Sequence, residues 1–198
     1  MTDHCTFSPI TGIVLAGGNS SRMGSDKSKL CYHGTPQANW MLEMITLKCE
    51  QTFISVKNFK GYLSLPQLRD NPELGDIGPM NPVLTAFEQF PNHALLVVGC
   101  DYPYFDQHAL ESLLSHRDVS KNAVAFINES TGRPEPLLAI YEPSALKIIA
   151  REFEKGNHSM LHVLEQLDVA LLHPLDANWI KSVDKPEDVP VFQSQVPA

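Results

Sequence analysis

The sequence predicts an α/β fold built on a mostly parallel sheet. Three observations carry this. Segments of strand character alternate with segments of helical spacing along the chain. Residues Ala94–Gly99 (ALLVVG) are apolar throughout, as a strand covered on both faces requires. An apolar run at 10–16 stops at Gly17-Gly18, as a buried strand entering a tight loop does. The chain has 198 residues, which suits one domain, 1–198, since domains typically run to about 100–200 residues.

The elements follow in order. After the strand at 10–16, residues 39–48 place Trp40, Met41, Met44, Ile45 and Leu47 at helical spacing. Residues 52–56 are β-rich and read as the second strand. An irregular strand precedes Asp70. Residues 83–90 put Val83, Leu84, Phe87 and Phe90 on one helix face, and Ala94–Gly99 is the central strand. Asp106 caps a helix carrying Leu110, Leu113 and Leu114. Strands at 123–127 and 137–141 flank a polar connection with Gly and Pro. A helix with Leu146, Ile149, Ala150 and Phe153 on one face ends near Gly156, and a second helix spans about 160–167. Strands at 169–172 and 179–183 close the pass. In open α/β sheets ligands sit beyond the carboxyl ends of strands. The places to examine therefore follow Ala16, Val56, Gly99 and Val183.

Composition narrows the class. Hydrophobic residues are 43% and charged residues 19%, an ordinary globular balance. The formal net charge of −8 argues against a nucleic-acid partner, which needs a basic footprint. It leaves room for a small phosphorylated ligand, which a few placed cations suffice to hold. Cys5, Cys31, Cys49 and Cys100 form no C-x-x-C pair, so no zinc site is expected. No cationic segment leads into an apolar stretch and no apolar run approaches a membrane span. The reading is a cytoplasmic protein with reduced thiols and no membrane partner. His158 and His162 stand four apart on the expected helix without a third ligand, so His162 reads as a surface or half-buried residue. Cys100 reads as a core residue.

The richest segment is Leu15-Ala16-Gly17-Gly18-Asn19-Ser20-Ser21-Arg22-Met23-Gly24-Ser25-Asp26-Lys27. Paired glycines let backbone N–H groups approach a ligand closely. Arg22 offers a planar fork for phosphate oxygens and Lys27 a point charge. A polyphosphate needs this combination. Neither the G-x-G-x-x-G fingerprint nor the P-loop spacing is met.

That string resembles the signature loop of the molybdenum cofactor guanylyltransferase (MobA) family of nucleotidyltransferases. Four more segments agree in order. They are Asp76-Ile77-Gly78-Pro79-Met80; Gly99-Cys100-Asp101-Tyr102-Pro103; Gly132-Arg133-Pro134-Glu135-Pro136-Leu137-Leu138-Ala139-Ile140-Tyr141; and Ser182-Val183-Asp184-Lys185-Pro186-Glu187-Asp188. The likeness spans roughly residues 10 to 190 and implies the Rossmann-like three-layer sandwich of the nucleotidyltransferase fold. It implies nucleotide contacts at Leu15, Ala16, Gly17, Gly18, Arg22, Lys27, Asn58, Asp70, Gly78 and Asp101. One departure stands out: the family's Gly-Pro-Leu-Ala-Gly is here Gly78-Pro79-Met80-Asn81-Pro82. Pro82 has no N–H and a fixed φ. It reads in two ways, as a weakened nucleotide contact or as the start of the following helix.

Asp101 follows the strongest strand and Asp184 another expected one. Mg²⁺ takes one or two carboxylates plus phosphate oxygens and water, and the resemblance assigns the metal to these two positions. Asp101 also suits a turn, and Asp184 also suits the N-cap of a short final helix. Asp70, in Leu68-Arg69-Asp70-Asn71-Pro72, is equally a nucleotide contact or a turn residue. The resemblance implies GTP as donor and the terminal phosphate of molybdopterin, or another phosphorylated acceptor, as acceptor. Arg133 is the candidate acceptor anchor or an exposed turn arginine. Arg22, Lys27 and Asp101 would carry catalysis. Transient contact with molybdenum cofactor insertion proteins also follows from the resemblance. Cytidylyl transfer, sugar-phosphate transfer and non-catalytic nucleotide binding are the other readings.

Overall fold

A computed structural model describes residues 8–16, 30–57 and 64–183. The order of elements is β1 (Ile10–Leu15), α1 (Gln37–Thr46), β2 (Gln51–Val56), β3 (Gln67–Arg69), α2 (Met80–Gln89), β4 (Ala94–Gly99), α3 (Gln107–Ser115), β5 (Ala123–Asn128), β6 (Arg133–Tyr141), α4 (Pro143–Glu154), α5 (Met160–Gln166) and β7 (Val169–Leu172). The strands form one sheet in the order β3-β2-β1-β4-β6-β5-β7. All neighbours are parallel except the two pairs that involve β6.

Alternation along β4 explains why the sheet is covered twice. Its side chains point to opposite faces in turn. Leu96 and Val98 join Val14 and Ile54 beneath α1 and α3, through Met41, Ile45, Leu110 and Leu113. Leu95 and Val97 join Ile13 and Leu15 beneath α2, α4 and α5, through Met80, Val83, Ile149 and Val163. The result is the three-layer α/β sandwich. Each fully buried Leu, Ile or Val contributes about 1.5–3 kcal/mol of transfer free energy, so β4, with no accessible surface from Ala94 to Val98, is the centre of the fold.

Strand order reverses between β1 and β4. From β1 the chain moves outward to β2 and β3, then returns through α2 to β4 on the other side. Such a reversal leaves a crevice at the carboxyl ends of the two strands. Ala16 and the Gly99-Cys100-Asp101 turn flank it.

Two expectations need correction. Residues 179–183 are not a strand. Asp176 accepts from the Asn178 N–H and starts a single 3-10 turn, Ala177–Ile180. The consecutive residues Trp179 and Ile180 are both buried in the core beneath α1 and α3, which the alternation of a strand cannot achieve. The second concerns β6. It begins at Arg133 rather than 137, because the Gly132 φ of 67° closes a hairpin that pairs Asn128 with Arg133. Elsewhere the reading holds: the Asp106 carboxylate accepts from Ala109 N–H at 2.9 Å, Cys100 is buried and His162 exposed. Helix α2 starts at Met80, ahead of Pro82. Pro82 is its third residue, where no intrahelical N–H is required.

Candidate active site

The carboxyl edge of the sheet gathers the informative residues. Gly17, Gly18, Arg22, Lys27, Asn58 and Asp184 lie outside the described residues. The others have defined places. Leu15 is the last residue of β1 and almost fully buried, and its carbonyl accepts from the Cys100 N–H at 3.3 Å. This bond ties the exit of β1 to the exit of β4, with half-buried Ala16 beside it.

Asp101 sits in a turn braced from several sides. The Tyr102 hydroxyl donates to Glu135 Oε2 at 3.0 Å, and the Asn128 amide donates to Glu135 Oε1 at 2.9 Å. His33 Nε2 lies 2.9 Å from the Pro103 carbonyl oxygen, and its ring stacks on Trp40 with centroids 3.9 Å apart. The Asp101 carboxylate folds back over Gly99: a Cβ there would lie 2.6 Å from Asp101 Oδ1. A side chain at 99 would therefore push the Asp101 carboxylate or the Tyr102 ring aside. The Val183 N–H donates to the Asp101 carbonyl at 2.8 Å. Among the described residues no group of three His, Cys, Asp or Glu forms a ready-made cation cage. A hard carboxylate such as that of Asp101 fits a Mg²⁺ that completes its shell with phosphate oxygens and water.

A cavity of about 310 Å³ opens at the β2–β3–α2 end of the same edge. Lys57, Arg69, Asp70, Asp76, Gly78 and Asn81 are among its walls. Asp70 follows β3 and is 8% exposed. Its Oδ1 accepts from the Ser55 hydroxyl at 2.7 Å. Burial pushes the Asp70 carboxyl above its ordinary range, while the Ser55 hydrogen bond and the Lys57 charge oppose that rise. Lys57 pairs with Asp76 at 2.9 Å across the mouth. Gly78 has φ 62° and no neighbour near its missing side chain, so backbone conformation rather than crowding requires glycine there. The cavity therefore presents an acceptor carboxylate, flanking cations and exposed glycine backbone, a lining suited to a polar heterocycle and its ribose.

Sequence reasoning marked Asp70 and Gly78, and Asn81 as a departure from the family pattern, but missed Ser55, Lys57, Arg69 and Asn71. The signal for Ser55 and Lys57 was present. Ser55 is the last residue but one of the second strand and Lys57 directly follows the strand, two residues on, so both reach its carboxyl edge.

Arg133 also lies at this edge, because β6 runs antiparallel to β4. Its Nε donates to Glu165 of α5 at 2.8 Å, and both side chains are substantially exposed. The bond draws the Glu165 carboxyl below its usual range. Arg133 is thus paired rather than poised for an anion. A second cavity of about 440 Å³ lies beyond β5 and β7, with Asn128, Ser130, Asn178 and Lys181 in its wall. Asp70, at the exit of β3, and Asp101, at the exit of β4, lie on one edge of the sheet, with Arg133 toward the other end of that edge.

Known proteins share this fold and parts of this sequence. The MobA-like NTP transferase domain family model matches residues 12–170, from β1 into β7. A molybdenum cofactor biosynthesis bifunctional protein of Synechocystis sp. is 32% identical over 184 residues, covering 91% of this chain and 52% of that protein. The chain thus spans about half the length of that relative. A probable molybdenum cofactor guanylyltransferase of Trichormus variabilis is 27% identical over 189 residues, covering 94% of this chain and 91% of that one. The crystal structure of molybdopterin-guanine dinucleotide biosynthesis protein A from Archaeoglobus fulgidus superposes with a TM-score of 0.76 at 22% identity. It covers 93% of this chain and 97% of that one, a likeness of fold. With the match extending over most of the chain, the protein belongs to the MobA-like NTP transferase family and is a nucleotidyltransferase.

Proposed function

We propose that the chain transfers GMP from GTP to the terminal phosphate of molybdopterin, giving the guanine dinucleotide form of the molybdenum cofactor and pyrophosphate. The observation that carries this reading is that Asp70, in the wall of the cavity, and Asp101, beside the β1–β4 crevice, share one edge of the sheet. The name of the Trichormus relative supports guanine as the base and the molybdenum cofactor as the acceptor.

An oxygen of the acceptor phosphate attacks the α-phosphorus of GTP. The bond from that phosphorus to the bridging oxygen breaks, and pyrophosphate leaves with the electron pair. A phosphate monoester is largely ionised at neutral pH, so no general base is needed to make the nucleophile. Catalysis reduces to alignment and charge neutralisation. In this reading the 15–18 backbone, Arg22 and Lys27 hold the triphosphate. Asp70, an acceptor-only carboxylate, takes the N–H or O–H donors of the nucleoside, and Asn58 and Gly78 complete its seat. Asp101 and Asp184 hold Mg²⁺, which supplies neutralisation of the phosphate charge when bound. Arg133 reaches the acceptor only by leaving Glu165. A cytoplasmic location and hand-over to molybdenum cofactor insertion proteins belong to the same proposal.

Pyrophosphate release measured with GTP, CTP and ATP, with and without molybdopterin, tests it. Release is expected with GTP, molybdopterin and Mg²⁺ together. Preferred use of CTP would replace it with cytidylyl transfer. Tight GTP binding without release under any condition would make the chain a nucleotide-binding protein. Asp101→Asn should lower turnover about ten- to a hundred-fold, the loss of one charge-assisted contact.

A further inference from the structure

Asn81 stands where the family pattern has an alanine, and it is only 4% exposed in the first turn of α2. A buried carboxamide costs free energy unless its two N–H groups and its oxygen find partners. Here all of them do. Asn81 Nδ2 donates to the carbonyls of Asn71 and Gly75, each at 2.9 Å. Its Oδ1 accepts from the Asn71 N–H at 2.9 Å and from the Thr85 hydroxyl at 3.1 Å. Thr85 Oγ1 also accepts from the Asn71 N–H at 3.0 Å.

These bonds run to the backbone of one loop. Asn71 directly follows Asp70, and Gly75 directly precedes Asp76. Between them Asn71 Oδ1 accepts from the Glu73 N–H at 2.9 Å and closes the short turn Pro72–Leu74. Beside the Ser55 bond to Asp70, the loop that links the two cavity carboxylates, Asp70 at its start and Asp76 at its end, is thus held at both ends by one side chain of α2. Pro82, next in sequence, stiffens the turn that carries it.

We infer that Asn81 is a positioning residue for the nucleotide, which fixes the 70–76 loop against which the base is seated and so sets how sharply the enzyme prefers guanine. This rests on the proposed function, in that the cavity takes the base of the donor. Discrimination between bases requires polar groups held in place. A site whose carboxylates shift with the loop accommodates the wrong donor pattern more readily.

The test compares the full-length chain with Asn81→Ala and Thr85→Val. Calorimetric titrations with GTP, ATP and CTP are combined with steady-state pyrophosphate release and thermal melting. Thr85 does not line the cavity, so its substitution acts only through Asn71 and Asn81, which it touches. For Asn81→Ala we expect GTP to bind about ten- to a hundred-fold more weakly, the scale of a small misplacement. The effect should fall on KM more than on kcat, with the preference for GTP over ATP and CTP reduced. Thr85→Val should move the same quantities in the same direction by less, and it carries the test by itself if Asn81→Ala does not fold. Lower melting temperatures with unchanged Kd values and base preference in the folded variants would overturn the inference and leave Asn81 a structural residue. A wild-type chain that binds all three nucleotides equally would overturn the guanine reading and this inference with it.

Discussion

Asp70 is stable enough to persist and poorly enough solvated to be useful. Burial raises its pKa, against the pull of Ser55 and Lys57, so the folded chain binds that proton more tightly than the unfolded chain does. The sign follows from linkage. Between the unfolded and folded pKa values the native state holds more protons, so stability falls as pH rises through that window. At neutral pH the ionised carboxylate is therefore a net cost to the fold. Asp70→Asn keeps the shape and an oxygen for the Ser55 hydroxyl. We expect its melting temperature at pH 7 to exceed that of the native chain, with the gain shrinking as pH falls and Asp70 protonates. GTP affinity should drop roughly ten-fold with the loss of a charged acceptor. Melting curves and GTP titrations at pH 5 and 7 check both halves. A destabilised Asp70→Asn at pH 7 would mean that burial of the charge is fully compensated.

Within single elements, what the sequence could declare depended on whether periodicity or a distant partner decided the outcome. Strand β4 announces itself because every position is apolar, and α3 because Asp106 and the Leu spacing agree. Trp179 and Ile180 carry β-type side chains, yet Asp176 and a docking site against Phe126 (ring centroids 5.9 Å from Trp179) turn them into a 3-10 segment. Asn81 was visible only as a departure from a pattern. Besides the Thr85 hydroxyl, its partners are backbone groups of the preceding loop, at Asn71 and Gly75, and no local rule encodes them. Asp101 was legible as a candidate because the end of a central strand of an α/β sheet is a known place for ligands. Gly12 shows the same division. Nothing in a β-run demands glycine, but a Cβ there would lie 2.8 Å from Ile45 Cδ1, 3.0 Å from Cys49 Sγ and 3.2 Å from Thr52 Cγ2. Glycine lets α1 sit down on β1. Gly12→Ala should cost about 1–3 kcal/mol by overpacking, read from the urea midpoint, with GTP affinity unchanged because the contact faces α1 and not the cavity. A neutral substitution would show that the Ile45 terminus simply rotates aside.

Over the whole molecule, binding chemistry and a buried ionic staple occupy opposite edges of the sheet. Asp70, Asp101 and both cavities lie where the parallel strands end. At the other edge Ser8 leads into β1, Glu142 follows the last residue of β6, and Arg117 follows α3. The Arg117 guanidinium pairs with the Glu142 carboxylate through Nε and, at 2.9 Å, through a terminal nitrogen. The same terminal nitrogen donates to the Ser8 hydroxyl at 2.7 Å. Both charged side chains are only 5–6% exposed, so water screens the pair little. Removing one partner leaves a buried charge uncompensated, which costs about 3–5 kcal/mol, whereas replacing both by apolar groups of similar volume is often neutral. Arg117→Met alone should therefore lower stability by about that amount. Arg117→Met with Glu142→Leu should recover most of the loss. GTP affinity of the folded fraction should match the native chain in both, since the staple lies across the sheet from the cavity. Urea denaturation and GTP titration of the two variants separate the cases. A double variant no more stable than the single one would mean that the pair's geometry, and not only its mutual neutralisation, holds the start of β1 to the end of β6.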